Sequence, residues 1–196
     1  MTEVTPVLPA RAAALAMLAA ATVPLPAAEL KVVAPACVRF VFRGREAAIG
    51  PAGDAFGAAL PRSRGACSVA GGRLALWLGP DEWLLLAPDA SDPAPIAAAI
   101  EGATTGLPHS LVDVSHRQLC IEIAGPKAAT VLAAGCPLDL SLAAFPVGSA
   151  TRTVLAKAEI VLARTGPETF HIEVWRSFAP YVWHYLDEAR REFRAE

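Results

Sequence analysis

An α+β fold built from two related halves is what this 196-residue sequence predicts. Three observations predict it. Short segments with apolar residues at every second position alternate with segments that carry helix-capping signals. A Gly-Pro-acid turn followed two residues later by an aromatic occurs twice, at Gly79-Pro80-Asp81-Glu82-Trp83 and at Gly166-Pro167-Glu168-Thr169-Phe170. Finally, Leu111 to Leu132 reads as a complete strand–turn–strand–helix unit, with similar elements on either side.

Within that central unit, Gln118, Cys120 and Glu122 alternate with Leu119, Ile121 and Ile123, the period of a half-buried strand. Gly125-Pro126 then opens a helix, because proline at the first helical position gives up no needed N–H. Gly135 is placed to close it with a left-handed residue. Before this unit, Cys37 to Phe42 alternates Val38, Phe40 and Phe42 with Arg39 and Arg43, which predicts a strand with one wet face. Pro51 to Leu60 is a short helix stopped by Pro61.

Arg73 to Leu78 and Trp83 to Ala87 form a hairpin across the first Gly-Pro turn. Asp92 caps a helix with Pro93 at its start and an end near Gly102. Downstream, Pro137 to Gly148 is a loop, and Thr151 to Ala156 pairs with Glu159 to Ala163. The last helix is capped at Ser177, with Phe178, Tyr181, Val182, Tyr185, Leu186, Ala189 and Phe193 on one stripe and His184, Asp187, Arg190 and Arg191 on the other side. The repeat makes the two halves βαβ-type units with mixed or antiparallel sheets, over about 30–115 and 116–196, after an Ala-rich arm at 1–29.

Composition narrows the function. Hydrophobic residues are 54% of the chain, enough for a sizeable core, and the net charge is −2 with scattered basic residues, which excludes a nucleic-acid-binding face. The four cysteines are widely spaced with no CxxC, so a finger-type zinc site is excluded and reduced thiols in a cytoplasmic protein are expected. Ala10 to Pro24 is too short to span a membrane and lacks the basic start of a signal peptide.

No catalytic constellation emerges. Asp113, Ser115 and His116 lie within one turn and read as a polar connection rather than a nucleophile line, which draws on separate loops. Cys120 has no sequence-local base and reads as an inert or half-exposed thiol rather than a nucleophile. His171, Glu173 and Trp175 share one strand face, either a binding surface or a wet sheet face. Trp183 falls on the flank of the last helix's stripe, as an edge of the core or a partner-facing anchor. Trp183, Trp175 and His184 are the candidate partner-interface residues. Catalytic, cofactor-binding and metal-ligating residues: none are assigned.

Four ordered blocks carry a family resemblance: Trp77 to Leu85 (WLGPDEWLL), Asp113 to Arg117 (DVSHR), Gly135 to Leu140, and Trp175 to Ala179 (WRSFA). With them the chain resembles the gamma subunit of heterotetrameric sarcosine oxidase, which is similar to the folate-binding domain of the glycine cleavage T-protein. The resemblance implies a fold of two halves with exchanged strands. It also implies a non-catalytic subunit beside larger alpha and beta subunits and a small delta subunit. Those partners would hold FAD, FMN and NAD, oxidise sarcosine to glycine with formation of hydrogen peroxide, and pass the one-carbon unit to tetrahydrofolate. This chain itself is expected to bind no cofactor. The K-G-C-Y-x-G-Q-E string of related stand-alone folate-dependent proteins has no match, since Gly135-Cys136 runs into Pro137. The alternative is a stand-alone folate-binding or aminomethyltransferase-like module, for which Asp113 and Asp139 are the weak ligand candidates.

Overall fold

A computed structural model of the chain describes residues 10–31, 37–88 and 92–195. Two five-stranded antiparallel sheets pack face to face with helices on both outer sides. The first sheet has the order β3-β4-β5-β2-β6, formed by Cys67–Ala70, Arg73–Gly79, Glu82–Ala87, Val38–Gly44 and His109–Asp113. The second has the order β8-β9-β10-β7-β1, formed by Ala150–Leu155, Ala158–Gly166, Thr169–Trp175, Gln118–Ala124 and Glu29–Lys31. The two orders are the same path traced twice, and each Gly-Pro turn joins the corresponding hairpin, β4–β5 or β9–β10. The repeat in the sequence is therefore a structural repeat, with antiparallel pairing throughout the named strands.

The fifth position of each sheet breaks the symmetry. In the first it is filled by β6, which follows the helix α3 (Pro93–Ala103). In the second it is filled from the other end of the chain by β1, which pairs with β7 through Glu29↔Ala124, Leu30↔Ile123 and Lys31↔Glu122. Residue 29, the end of the Ala-rich arm by sequence, is thus the first residue of a strand.

Three apolar layers hold the sheets and helices together. Phe40, Phe42, Trp83 and Leu85 face α2 (Glu46–Phe56) and α3 on one outer side. Leu119, Ile121, Leu162 and Ile172 face α1 (Ala10–Ala21), α4 (Ala128–Ala133) and α5 (Ala179–Ala189) on the other. Between the sheets lie Leu74, Leu76, Leu84, Leu86, Val161 and Ala163. Because successive side chains alternate across a strand, this middle layer buries the second face as well. The wet face expected for β2 is instead an interior one, and Arg39 is fully buried.

Helix ends follow local chemistry where it was legible. Asp92 accepts the Ala94 N–H at 2.9 Å and Pro93 opens α3. Elsewhere tertiary packing decides. Helix α2 starts at Glu46, earlier than Pro51, so that proline lies inside the helix and leaves the Ala47 carbonyl without its i→i−4 donor. Helix α5 begins at Ala179 with no side-chain cap from Ser177. Gly125 has φ of 121°, and a Cβ there would lie 2.7 Å from the carbonyl oxygens of Pro26 and Ala27. Gly135 does not adopt the left-handed conformation; a Cβ there would collide with the Tyr185 hydroxyl at 2.5 Å, so it is a contact glycine rather than a cap.

Helix α5 also departs from its predicted stripe. Trp183 is 1% exposed and its Nε1 donates to Thr22 Oγ1 at 3.2 Å, which makes it a core residue and not a surface anchor. Arg190, expected on the wet side, is wholly buried and donates to Val23 O at 2.7 Å and Ala28 O at 3.3 Å, with Asp187 as its ion partner. It ties the segment before β1 to the last helix. Arg164 plays the same part for the loop after α4, donating to Leu140 O and Phe145 O at 2.9 and 3.0 Å. No helix among the described residues is long and apolar enough to cross a membrane.

Replacing Arg190 by Ala leaves two carbonyls unsatisfied in the interior. We expect a loss of about 2–3 kcal/mol in denaturant melts, with faster proteolysis within residues 10–31, and an unchanged melt would remove this role.

Candidate functional site

The inter-sheet layer contains one polar cluster. Arg39 on β2 donates from Nε to Glu173 Oε2 at 2.6 Å and from Nη2 to Oε1 at 3.1 Å, a bidentate pair from one half of the chain to the other. The two side chains are 1% and 0% exposed. His171, two residues before Glu173 on the same face of β10, places Nε2 2.9 Å from Glu173 Oε1. Its Nδ1 lies 3.2 Å from Cys120 Sγ on β7. The strand register brings this about: Glu173 sits opposite Cys120, and His171 opposite Glu122.

Burial alone pushes the Glu173 carboxyl up. The hydrogen bond from His171, the charge of Arg39 and the Arg39 hydrogen bond outweigh it, so the group is held below the usual carboxylate range. The Cys120 thiol is pushed well up, by burial first and by Glu173 second. A protonated thiol donates to Nδ1, which leaves Nε2–H to donate to the carboxylate. Every polar hydrogen of the line is then used.

Cys120, His171 and Glu173 also offer donor atoms within 4.8 Å of one another. A cation there would meet the Arg39 guanidinium, which already holds both carboxylate oxygens and neutralises them. The cluster is charge-balanced with its own residues. Nor is it a nucleophile with its base, because the sulfur is fully buried and its thiolate is disfavoured. Of the inert or half-exposed thiol expected from sequence, Cys120 is the inert one, fully buried and hydrogen-bonded to His171.

At one end the two sheets diverge into an open cleft of about 330 Å³. Val41, Leu84, Val112 and Val114 line it from the first half, with Val161 and Trp175 from the second. Arg152 of β8 reaches across to Glu82 of β5 at 2.6 Å, and Arg43 holds the other oxygen of Glu82 at 2.8 Å. Opposite them, the Arg117 guanidinium lies over the Trp175 ring at 3.9 Å. Trp175 is 38% exposed and Val112 52%, although both project from faces that elsewhere are covered by the opposing sheet.

The sequence-predicted residues separate. Trp175 belongs to the cleft, His184 is exposed on α5, and Trp183 is in the core. Asp113 accepts from the Ser115 N–H at 2.8 Å and hydroxyl at 2.5 Å, and Ser115 Oγ accepts from the Arg39 N–H. This is the polar turn the sequence implied. Asp139 accepts from the Ser141 N–H at 2.9 Å, beside a different shallow cleft. The two aspartates line no common site. Sequence reasoning missed Arg39, Arg117 and Val112; only the charge of Arg39 within an apolar strand hinted at a buried partner.

Two stacked antiparallel sheets of identical path, with helices outside and an open cleft between them, define an α/β/β/α sandwich. The sequence matches the model of the "Sarcosine oxidase, gamma subunit family" over residues 45–192, and the chain belongs to that family. It is 38% identical over 146 residues to the sarcosine oxidase subunit gamma of Corynebacterium sp. (strain P-1), covering 73% of this chain and 70% of that one. It is 36% identical over 140 residues to its counterpart from Arthrobacter sp, covering 71% and 68%. Among solved structures, a chain of the heterotetrameric sarcosine oxidase from Corynebacterium sp. U-96 superposes with a TM-score of 0.83 at 34% identity, covering 95% of this chain and 96% of that one. The glycine cleavage system aminomethyltransferase T from Bartonella henselae shares the fold, with a TM-score of 0.60 at 17% identity over 88% of this chain and 48% of that one.

Removing one member of the buried pair leaves the other charge uncompensated. Arg39→Leu and Glu173→Leu are each expected to cost about 3–5 kcal/mol, and the double variant less than their sum; additive losses in denaturant melts would show the pair is not coupled. Because the Glu173 pKa is lowered by folding, its contribution is complete above the unfolded value of roughly 4.3 and is lost as pH falls through the folded value. A Glu173→Gln variant should flatten the acid limb of a Tm-against-pH curve. Thiol titration supplies a third check: in the folded chain Cys120 should resist alkylation until denaturant is added.

Proposed function

We propose that this chain is the gamma subunit of a heterotetrameric sarcosine oxidase, supporting larger subunits that hold the flavins and carry out sarcosine oxidation. One observation carries this reading: the alignment with a chain of the Corynebacterium enzyme spans nearly the full length of both, so the likeness is to a whole subunit. The chemistry of the described residues agrees with a supporting role. The one thiol–imidazole contact is sealed inside, and Ser115 is engaged by Asp113 and the Arg39 backbone.

The folate-module reading has less behind it. An aminomethyltransferase from Saccharopolyspora erythraea is 32% identical over 118 residues, but that stretch is 31% of the enzyme's length. Asp113 and Asp139 are each engaged by a neighbouring serine and do not converge on a pterin-sized space.

Co-expression with candidate large subunits, followed by capture through a tag on this chain, tests the proposal. The expected material has a fixed subunit ratio, visible flavin absorbance and sarcosine-dependent peroxide formation. A colourless lone chain that binds tetrahydrofolate saturably would replace this reading with the folate module.

A further inference from the structure

The wedge between the diverging sheets is unfilled, and its walls are of the kind that are covered elsewhere in this fold. Val41 and Leu84 continue the row of inter-sheet residues that is closed at the other end by Leu74, Leu86 and Ala163. Val112 stands beside Val41 in the β2–β6 register and is half exposed. Val154, cross-strand from Glu159 and on the same face as Val161, is 40% exposed. Apolar surface of this kind, gathered in a concavity and rimmed by charge, marks an interaction site.

The rim says what the site takes. Glu82 is already held by Arg43 and Arg152. Arg117 lies over the Trp175 ring, and no carboxylate among the described residues pairs with it. A guanidinium fixed on an aromatic face is preorganised to receive a carboxylate in a bidentate pair. Glu159 on the far rim limits the occupant to a modest negative charge. At about 330 Å³ the cleft is at the lower end of the roughly 300–1,000 Å³ of small-molecule sites. That volume seats one or two side chains better than an extended cofactor.

We propose that this wedge is a docking site for a segment of a larger subunit of the complex. An apolar side chain of that segment enters between Val41, Leu84 and Val112, and a carboxylate beside it pairs with Arg117. The proposal rests on the subunit reading above. Trp and Arg are among the residue types that carry most interface energy.

The test is co-expression of the assembled complex with Arg117→Glu, Val112→Lys and the conservative Arg117→Lys. Arg117 and Val112 are surface groups, so the isolated variants should melt within about 2 °C of wild type, since exposed substitutions change stability little. Arg117→Glu and Val112→Lys are each expected to weaken capture of the flavin-bearing subunits at least tenfold, with Arg117→Lys intermediate. Assembly unchanged within twofold in both, while wild type assembles, overturns the docking site and leaves the subunit reading standing. A wild-type chain that captures no larger subunit overturns both. An isolated chain that is dimeric, and becomes monomeric on Val112→Lys, would assign the wedge to a second copy and overturn the proposal as stated.

Discussion

A guanidinium and a carboxylate enclosed between two sheets constrain everything else in this molecule. Arg39 and Glu173 belong to different halves of the chain, and neither can be left in an apolar layer alone. Their bidentate geometry allows one relative placement of the sheets, within hydrogen-bond tolerance. A hydrophobic pair at the same two positions would pack with similar stability but with less directional control. His171 and Cys120 complete the layer by using the remaining lone pair and ring nitrogen, so the polar line ends without an orphaned group.

The duplicated path gives the constraint its setting. In equivalent hairpins Leu84 and Leu86 of the first sheet correspond to His171 and Glu173 of the second, so one face is oily where its counterpart is polar. Mutually facing copies of the same sheet would otherwise be free to slide; this asymmetry pins them. Backbone hydrogen bonds close the sandwich along one edge, where the Cys67 N–H reaches Gly148 O and the Ala150 N–H reaches Gly65 O. The cleft lined by Val112 and Trp175 lies between the same two sheets.

One thiol–imidazole pair, Cys120 and His171, is interior and its members are spent on each other, whereas the open cleft offers apolar side chains and an aromatic-backed arginine. The same sandwich occurs within aminomethyltransferase T of Bartonella henselae, where it spans 48% of the chain.

Much of the fold was legible because it depends on local rules. The period-two strands, the Asp92–Pro93 helix start and the paired Gly-Pro hairpins are set by neighbouring residues, so the α+β class and the duplication follow from the sequence alone. The blocks from Trp77 to Leu85 and from Trp175 to Ala179 carry the family as well. Which strand face is wet is a different matter. Periodicity separates two faces but cannot tell solvent from a second sheet, and so Arg39, Cys120 and Glu173 were read outward when they point inward. Trp183 and Arg190 were misplaced for a related reason: an N-terminal segment more than 150 residues away, accepting at Thr22, Val23 and Ala28, covers that side of α5. Partners distant in sequence leave no local trace, and only the tertiary structure decided where these charges and rings lie.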